Sequence, residues 1–170
     1  MSYQTEGESR GPSVETLIGQ LRTDTTAEPD TEDDPAAETA ALVAETASAL
    51  YDEEAPDVND GLVKESLPEL LMLLVGLRES DAHGKGIMKD INRFFGTRLS
   101  PGTVYPTLHD LDEEGVLEMR ELVQTKEYSV GDETAARERL ETAMRQHLAL
   151  GVVFERALEE IERREFEHQE

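Results

Sequence analysis

Cysteine is absent from the 170 residues, which excludes disulfides, thiolate metal sites and thiol redox sensing. Tryptophan is absent as well, and aromatic residues make up only 5% of the chain, so a pocket built on aromatic stacking has little material. Positive charge is scarce: 16 lysines and arginines face 39 acids, a formal net charge of -23, and lysine occurs only as Lys64, Lys85, Lys89 and Lys126. The longest apolar run, Leu70 to Val75, is far short of a membrane span. Residues Met1 to Glu6 lack the basic region and apolar core of a secretory leader, so residence in the cytoplasm, away from membrane, is expected. Catalytic signatures are missing too. There is no His-Glu-x-x-His, no Gly-x-Ser-x-Gly and no phosphate loop ending in Lys-Ser or Lys-Thr. The four histidines are scattered without carboxylates at metal-ligand spacing, so the expectation is a protein that is not an enzyme and needs no cofactor or metal.

What is present is acid, spread along the whole chain. Hydrated carboxylates keep proteins soluble in concentrated salt, where screening quenches their mutual repulsion, so this lysine-poor surface points to a halophilic, archaeal cytoplasm. A chain of this length holds one modest core plus solvated segments. Residues 1–65 read as an acidic, largely disordered extension of Asp, Glu, Thr, Ala and Pro that buries too little apolar surface to offset its ordering entropy. Two short helical patterns interrupt it, one from Ser13 to Leu21 and one from Asp34-Pro35 through Ala36, Ala40, Val43, Ala47, Leu50 and Tyr51. The second is expected to dock weakly. Such an arm either mimics the charge of DNA or serves as a solubilising tail.

From Ser66 the periodicity strengthens, and residues 66–131 read as one domain. Ser66 caps a scaffold helix with Leu70, Leu71, Leu74, Val75 and Leu77 inward, and a second helix runs from Gly86 to Phe95 with Gly96 as its C-cap. A third is the best signalled. Ser100 is a good N-cap, Pro101 sits where its missing N–H costs nothing, Val104, Leu108 and Leu111 form a core-facing stripe, and Gly115 closes the helix. Residues 116–120 and 126–130 then alternate apolar and polar, a two-stranded wing with its tip near Val123 to Thr125. Helix, helix, helix, hairpin is the order of a winged helix-turn-helix, and the fold class expected is mainly α with a small β-hairpin.

The third helix and its exit also resemble a known family. Ser100-Pro101-Gly102-Thr103, then Tyr105, Leu108-x-x-Leu111 and Glu113-Glu114-Gly115-Val116-Leu117 look like the PadR family of transcriptional regulators, and Leu70 to Leu77 followed by His83-Gly84 is similar to that family's first helix and turn. The resemblance covers about residues 66–165. Two departures stand out: Lys85-Gly86 replaces the tyrosine that continues the family's turn, and the wing carries Arg120, Gln124, Thr125 and Lys126 in place of an arginine-rich segment. The resemblance implies sequence-specific DNA binding, a dimeric repressor and dimerisation through the C-terminal helix. Some relatives bind small aromatic molecules, and an effector here, whether small molecule or protein, is left open.

Residues 132–170 hold a single proline-free helix from near Glu133 to about Phe166, roughly 50 Å long at the α-helical rise. Leu140, Met144, His147, Gly151, Phe154, Leu158 and Ile161 recur at alternating spacings of four and three, the seam of a coiled coil. A homodimer is expected, with His147 facing its symmetry mate or simply packed. Two winged helices about 34 Å apart address successive major grooves, so a palindromic double-stranded operator follows. The expected contacts are Ser100, Gly102, Thr103, Tyr105, Thr107 and His109 on the third helix, Lys85, Lys89, Arg93 and Arg98 flanking it, and Arg120 and Lys126 on the wing. The alternative is a winged helix that has lost DNA and binds other proteins.

Overall fold

The computed structural model describes residues 34–51, 58–78 and 82–167; the expected helix from Ser13 to Leu21 lies outside them. Helices α1 (Ala37–Tyr51), α2 (Asp60–Glu65), α3 (Leu67–Leu77), α4 (Gly84–Phe95) and α5 (Pro101–Glu113) precede strands β1 (Leu117–Glu121) and β2 (Lys126–Val130), and helix α6 (Glu133–Glu167) closes the chain. The winged helix-turn-helix order expected from sequence is the order observed. Leu71, Met72, Leu74, Ile87, Ile91, Val104, Leu108, Leu111 and Leu117 fill the centre of the core, so α3, α4, α5 and the root of the wing share one interior.

That interior reaches further toward the N-terminus than expected. Val63 of α2 is buried, Val43 and Ala47 bury one side of α1 and Ala36 is buried just before it, with Ala36 and Val43 joining the same cluster. The core therefore crosses the expected boundary at residue 66. Small alanines that looked too weak to hold a helix down let α1 approach α3 closely instead. Asp34 starts α1, its carboxylate accepting from the Ala36 amide at 3.0 Å. Ser66 occupies the N-cap position of α3, but its hydroxyl makes no cap bond; α4 begins at Gly84, two residues before the expected start.

β1 and β2 pair antiparallel, with Leu117 opposite Val130, Met119 opposite Tyr128 and Glu121 opposite Lys126. A third short segment joins them unforeseen. His83 bridges Glu127, and the Tyr128 amide donates to the Ala82 carbonyl at 2.9 Å, which ties the entry of α4 to the wing. At the other end of the hairpin the Gly131 and Asp132 amides both donate to the Val116 carbonyl. A Cβ on Gly131 would come within 2.9 Å of the Gly115 carbonyl oxygen, so only glycine lets these backbones meet. Asp132 then caps α6, its carboxylate accepting from the Ala135 amide at 2.9 Å.

Candidate nucleic-acid interface

Helix α5 is presented by a turn that one side chain organises. Gly96 ends α4 with φ 61°, and the Asn92 amide then spans the turn: its oxygen accepts from the Leu99 amide and the Thr97 hydroxyl, both at 2.8 Å, while its nitrogen donates to the Leu99 carbonyl at 3.3 Å. With Thr97 and Leu99 buried, the geometry between α4 and α5 is fixed from inside.

Ser100 stands at the N-cap of α5 as expected, but its side chain does not cap an amide. Its carbonyl accepts from Thr103 and Val104, and its hydroxyl lies 3.3 Å from that of Thr103, so two hydroxyls face outward as a pair at the helix start. Val104, Leu108 and Leu111 are buried, leaving Ser100, Gly102, Tyr105 and His109 exposed and Thr103 and Thr107 half-buried. Thr107 donates its hydroxyl to the Thr103 carbonyl at 3.2 Å, which leaves its oxygen able to accept. Pro106 sits inside the helix and has no N–H to offer the Gly102 carbonyl. Tyr105 lies across Gly84: a Cβ there would meet the ring at 2.5 Å, so the His-Gly turn is glycine because the tyrosine needs the space. His109 is 3.6 Å from Glu113, on the half of α5 that turns acidic through Asp110, Glu113 and Glu114.

The expected cations divide into two groups. Arg93 pairs with Asp34 at 3.3 Å and Arg120 with Glu127 at 2.9 Å, so both already have a carboxylate. Lys85, Lys89, Arg98 and Lys126 are exposed and form no ion pair with any described residue. Lys85 and Lys126 both line a groove of about 520 Å³, together with His83, Gly84, Tyr105 and residues 121–125 of the wing. At the wing's tip the Leu122 amide donates to the Thr125 carbonyl at 2.8 Å, and Val123 projects fully into solvent. The wing is locked to α5 by the Asp112 carboxylate, which accepts from the Met119 amide at 2.9 Å.

Two charged pairs behind this face were not foreseen. Arg78 and Asp90 form a largely buried ion pair; burial pushes the Asp90 carboxyl above its ordinary range, and the adjacent guanidinium offsets part of that. Asp34 moves the other way, held low first by the Ala36 amide and then by Arg93. Burial also raises the hydroxyl of Tyr128, on β2 of the wing, above its ordinary range.

The expected dimer stripe on α6 is split. Ala136 is buried, Ala135 packs against the core and Leu140 is half-buried, so the first turns serve the chain's own interior. His147 stays exposed and makes two contacts within the chain: its Nδ1 donates to the Ala143 carbonyl at 2.7 Å, which leaves Nε2 to accept from the Ser66 hydroxyl at 3.2 Å. Met144, Phe154, Leu158 and Ile161 remain half or more exposed, and a Cβ on Gly151 would meet nothing, so an open apolar stripe continues along the far half.

Residues 72–135, which span α4, α5 and the wing, match the model of the Transcriptional regulator PadR-like family. These residues are similar to a PadR-like domain. The chain is 44% identical over 96 residues to the transcriptional activator GvpE of Haloferax mediterranei, an alignment covering 56% of this chain and 50% of that protein. It is 36% identical over 120 residues to the transcriptional activator GvpE1 of Halobacterium salinarum, covering 71% and 62% respectively. It thus spans half to under two thirds of the length of these relatives. A solved PadR-like transcription factor from Bacteroides fragilis aligns over 55% of this chain and 94% of its own, at 22% identity and a TM-score of 0.41. No helix among the described residues is long and apolar enough to cross a membrane.

Proposed function

We propose that the chain is a cytoplasmic, DNA-binding transcriptional regulator that works as a homodimer at high salt and has no enzymatic activity. The observation that carries this reading is the placement of Lys85, Lys89, Arg98 and Lys126. In a chain of net charge -23, these cations lack carboxylate partners among the described residues and lie on α4, on the turn into α5 and on the wing. Ser100, Thr103, Thr107 and Tyr105 supply hydroxyls between them for phosphates and base edges. His109, beside Glu113, contributes least. Pairing of two copies through Phe154, Leu158 and Ile161 would set two recognition helices on one palindromic operator. Repression is what the resemblance implied; the relatives named activators favour activation. Their haloarchaeal sources support a high-salt cytoplasm.

The test is selection of duplexes from a random pool in molar KCl, followed by footprinting. A discrete inverted repeat is the expected result, and it should lose protection when Arg98, Thr103 and Thr107 are replaced together by alanine. Enrichment of no sequence would overturn the proposal. A second reading, a protein-binding winged helix, is favoured by the wing tip, where Leu122 and Val123 are exposed and no arginine is present. Footprint failure combined with stable capture of a purified transcription factor would establish it.

A further inference from the structure

The groove beside the wing is walled by three elements that are already tied to one another. The His83–Glu127 bridge and the Tyr128 amide on the Ala82 carbonyl join the start of α4 to β2, and the Leu122 amide on the Thr125 carbonyl closes the wing turn. The Tyr105 ring of α5 lies where a Cβ on Gly84 would meet it at 2.5 Å, so glycine sets its place. At about 520 Å³ the groove falls within the range of pockets that hold small organic molecules. Lys85 and Lys126, two of the four lysines in the chain, reach it from different elements, and Glu121 is the single carboxylate among the described residues lining it. The remaining walls are of another kind: Tyr105 and Leu122 offer apolar surface, and Gln124 and Thr125 offer an amide and a hydroxyl. A backbone phosphate of DNA would use the cations and leave the other side chains without a role. A flat ring with polar edges, carried on a phosphate, uses all of them.

We propose that this groove is a binding site for a small nucleotide-like anion, with its phosphate on Lys85 and Lys126, its ring against Tyr105 and Leu122, and the polar edge of the ring on Gln124 and Thr125. Direct contacts of this kind survive a Debye length of about 3 Å in molar salt, so the site suits a protein of this charge. Lys85, Tyr105 and Lys126 also belong to the proposed DNA face, and a filled groove withdraws them from DNA. That regulatory consequence rests on the DNA-binding reading; the site itself does not.

Adenosine monophosphate titrated into the full chain in molar KCl, followed by amide NMR, should give saturable shifts at residues 83–85 and 121–126. The variant K85Q/K126Q changes two exposed side chains, and with helicity unchanged it should bind the nucleotide at least about tenfold more weakly. Absence of saturable shifts, or equal affinity in the variant, overturns the site. Inorganic phosphate should bind more weakly than the nucleotide; equal binding overturns the ring contacts. A random-sequence duplex tests the other source of phosphate: shifts at these residues with duplex and none with nucleotide assign the groove to the DNA backbone and overturn the proposal. At ten times its Kd the nucleotide should lower duplex affinity about tenfold, and unchanged affinity overturns the competition. If the parent binds no duplex under any condition, the DNA-binding reading fails, and the nucleotide titration still decides the site.

Discussion

Asn92 is the side chain on which the presentation of α5 most depends, since three hydrogen bonds to Thr97 and Leu99 converge on one amide in a partly buried turn. Replacing it with alanine strands the Leu99 amide and carbonyl, and unsatisfied groups of this kind cost about 1–3 kcal/mol each. Urea unfolding of Asn92→Ala should show a loss of about 2–3 kcal/mol in the salt where the parent is stable, and Asn92→Asp should recover part of it because a carboxylate still accepts from Leu99 and Thr97. Asp34 is a different kind of residue, exposed but tied to both the Ala36 amide and Arg93. Its folded pKa is depressed, so the stability it contributes is complete above about pH 4 and is lost as pH falls through the lowered value. Acid titration of helicity should therefore show a loss from α1 below about pH 4 that Asp34→Asn removes. An Asp34→Asn protein with an unchanged acid limb would refute the assignment.

At the scale of elements, the joint between α4 and α5 rests on a ring lying over a backbone. Gly84→Ala places a methyl 2.5 Å from the Tyr105 ring, and overpacking of this kind costs about 1–3 kcal/mol. Tyr105→Ala makes room, so a double-mutant cycle should return a favourable coupling of about 1 kcal/mol or more between the two sites. Additive effects would mean that the ring simply swings into solvent. The same joint marks what a sequence carries and what it does not. Helix α5 was legible because Ser100, Pro101 and Gly115 punctuate it and its apolar stripe has one period; the long α6 was legible because nothing breaks it. The Asn92 clasp was not legible, since a polar residue on a helix reads as solvated until the turn folds over it. The seat of α1 was hidden for another reason. Ala36 and Ala47 have little volume to announce a core, and their burial depends on how closely two helices approach. Likewise, a partner 59 residues away for Arg93 leaves no local trace, and neither does the turning of His147 toward Ser66.

For the whole molecule, the proposed function requires an anionic body to approach an anionic polymer. An ordinary DNA-binding protein gains affinity by releasing counterions, and its binding falls by orders of magnitude as salt rises. Here only a few exposed cations lack a carboxylate partner among the described residues, so few counterions are released, while the carboxylates of α6 and of the acidic end of α5 repel phosphate until salt screens them. The two effects oppose each other. Between about 0.2 M and 2 M KCl, where the Debye length shrinks from roughly 7 Å to about 2 Å, the slope of log affinity against log salt should be shallow or positive. The apolar stripe of Phe154, Leu158 and Ile161 pushes in the same direction, because salts excluded from protein surfaces strengthen burial and hence pairing of two copies. Affinity measured on a selected duplex across that range, with sedimentation of the free protein alongside, separates the contributions. If the proposed pairing runs through this stripe, Phe154→Ser with Leu158→Ser should leave a monomer whose remaining binding keeps the shallow slope and loses the preference for an inverted repeat. A steep fall in affinity with added KCl would mean that phosphate neutralisation dominates after all, and that Lys85, Lys89, Arg98 and Lys126 are supplemented by other cations.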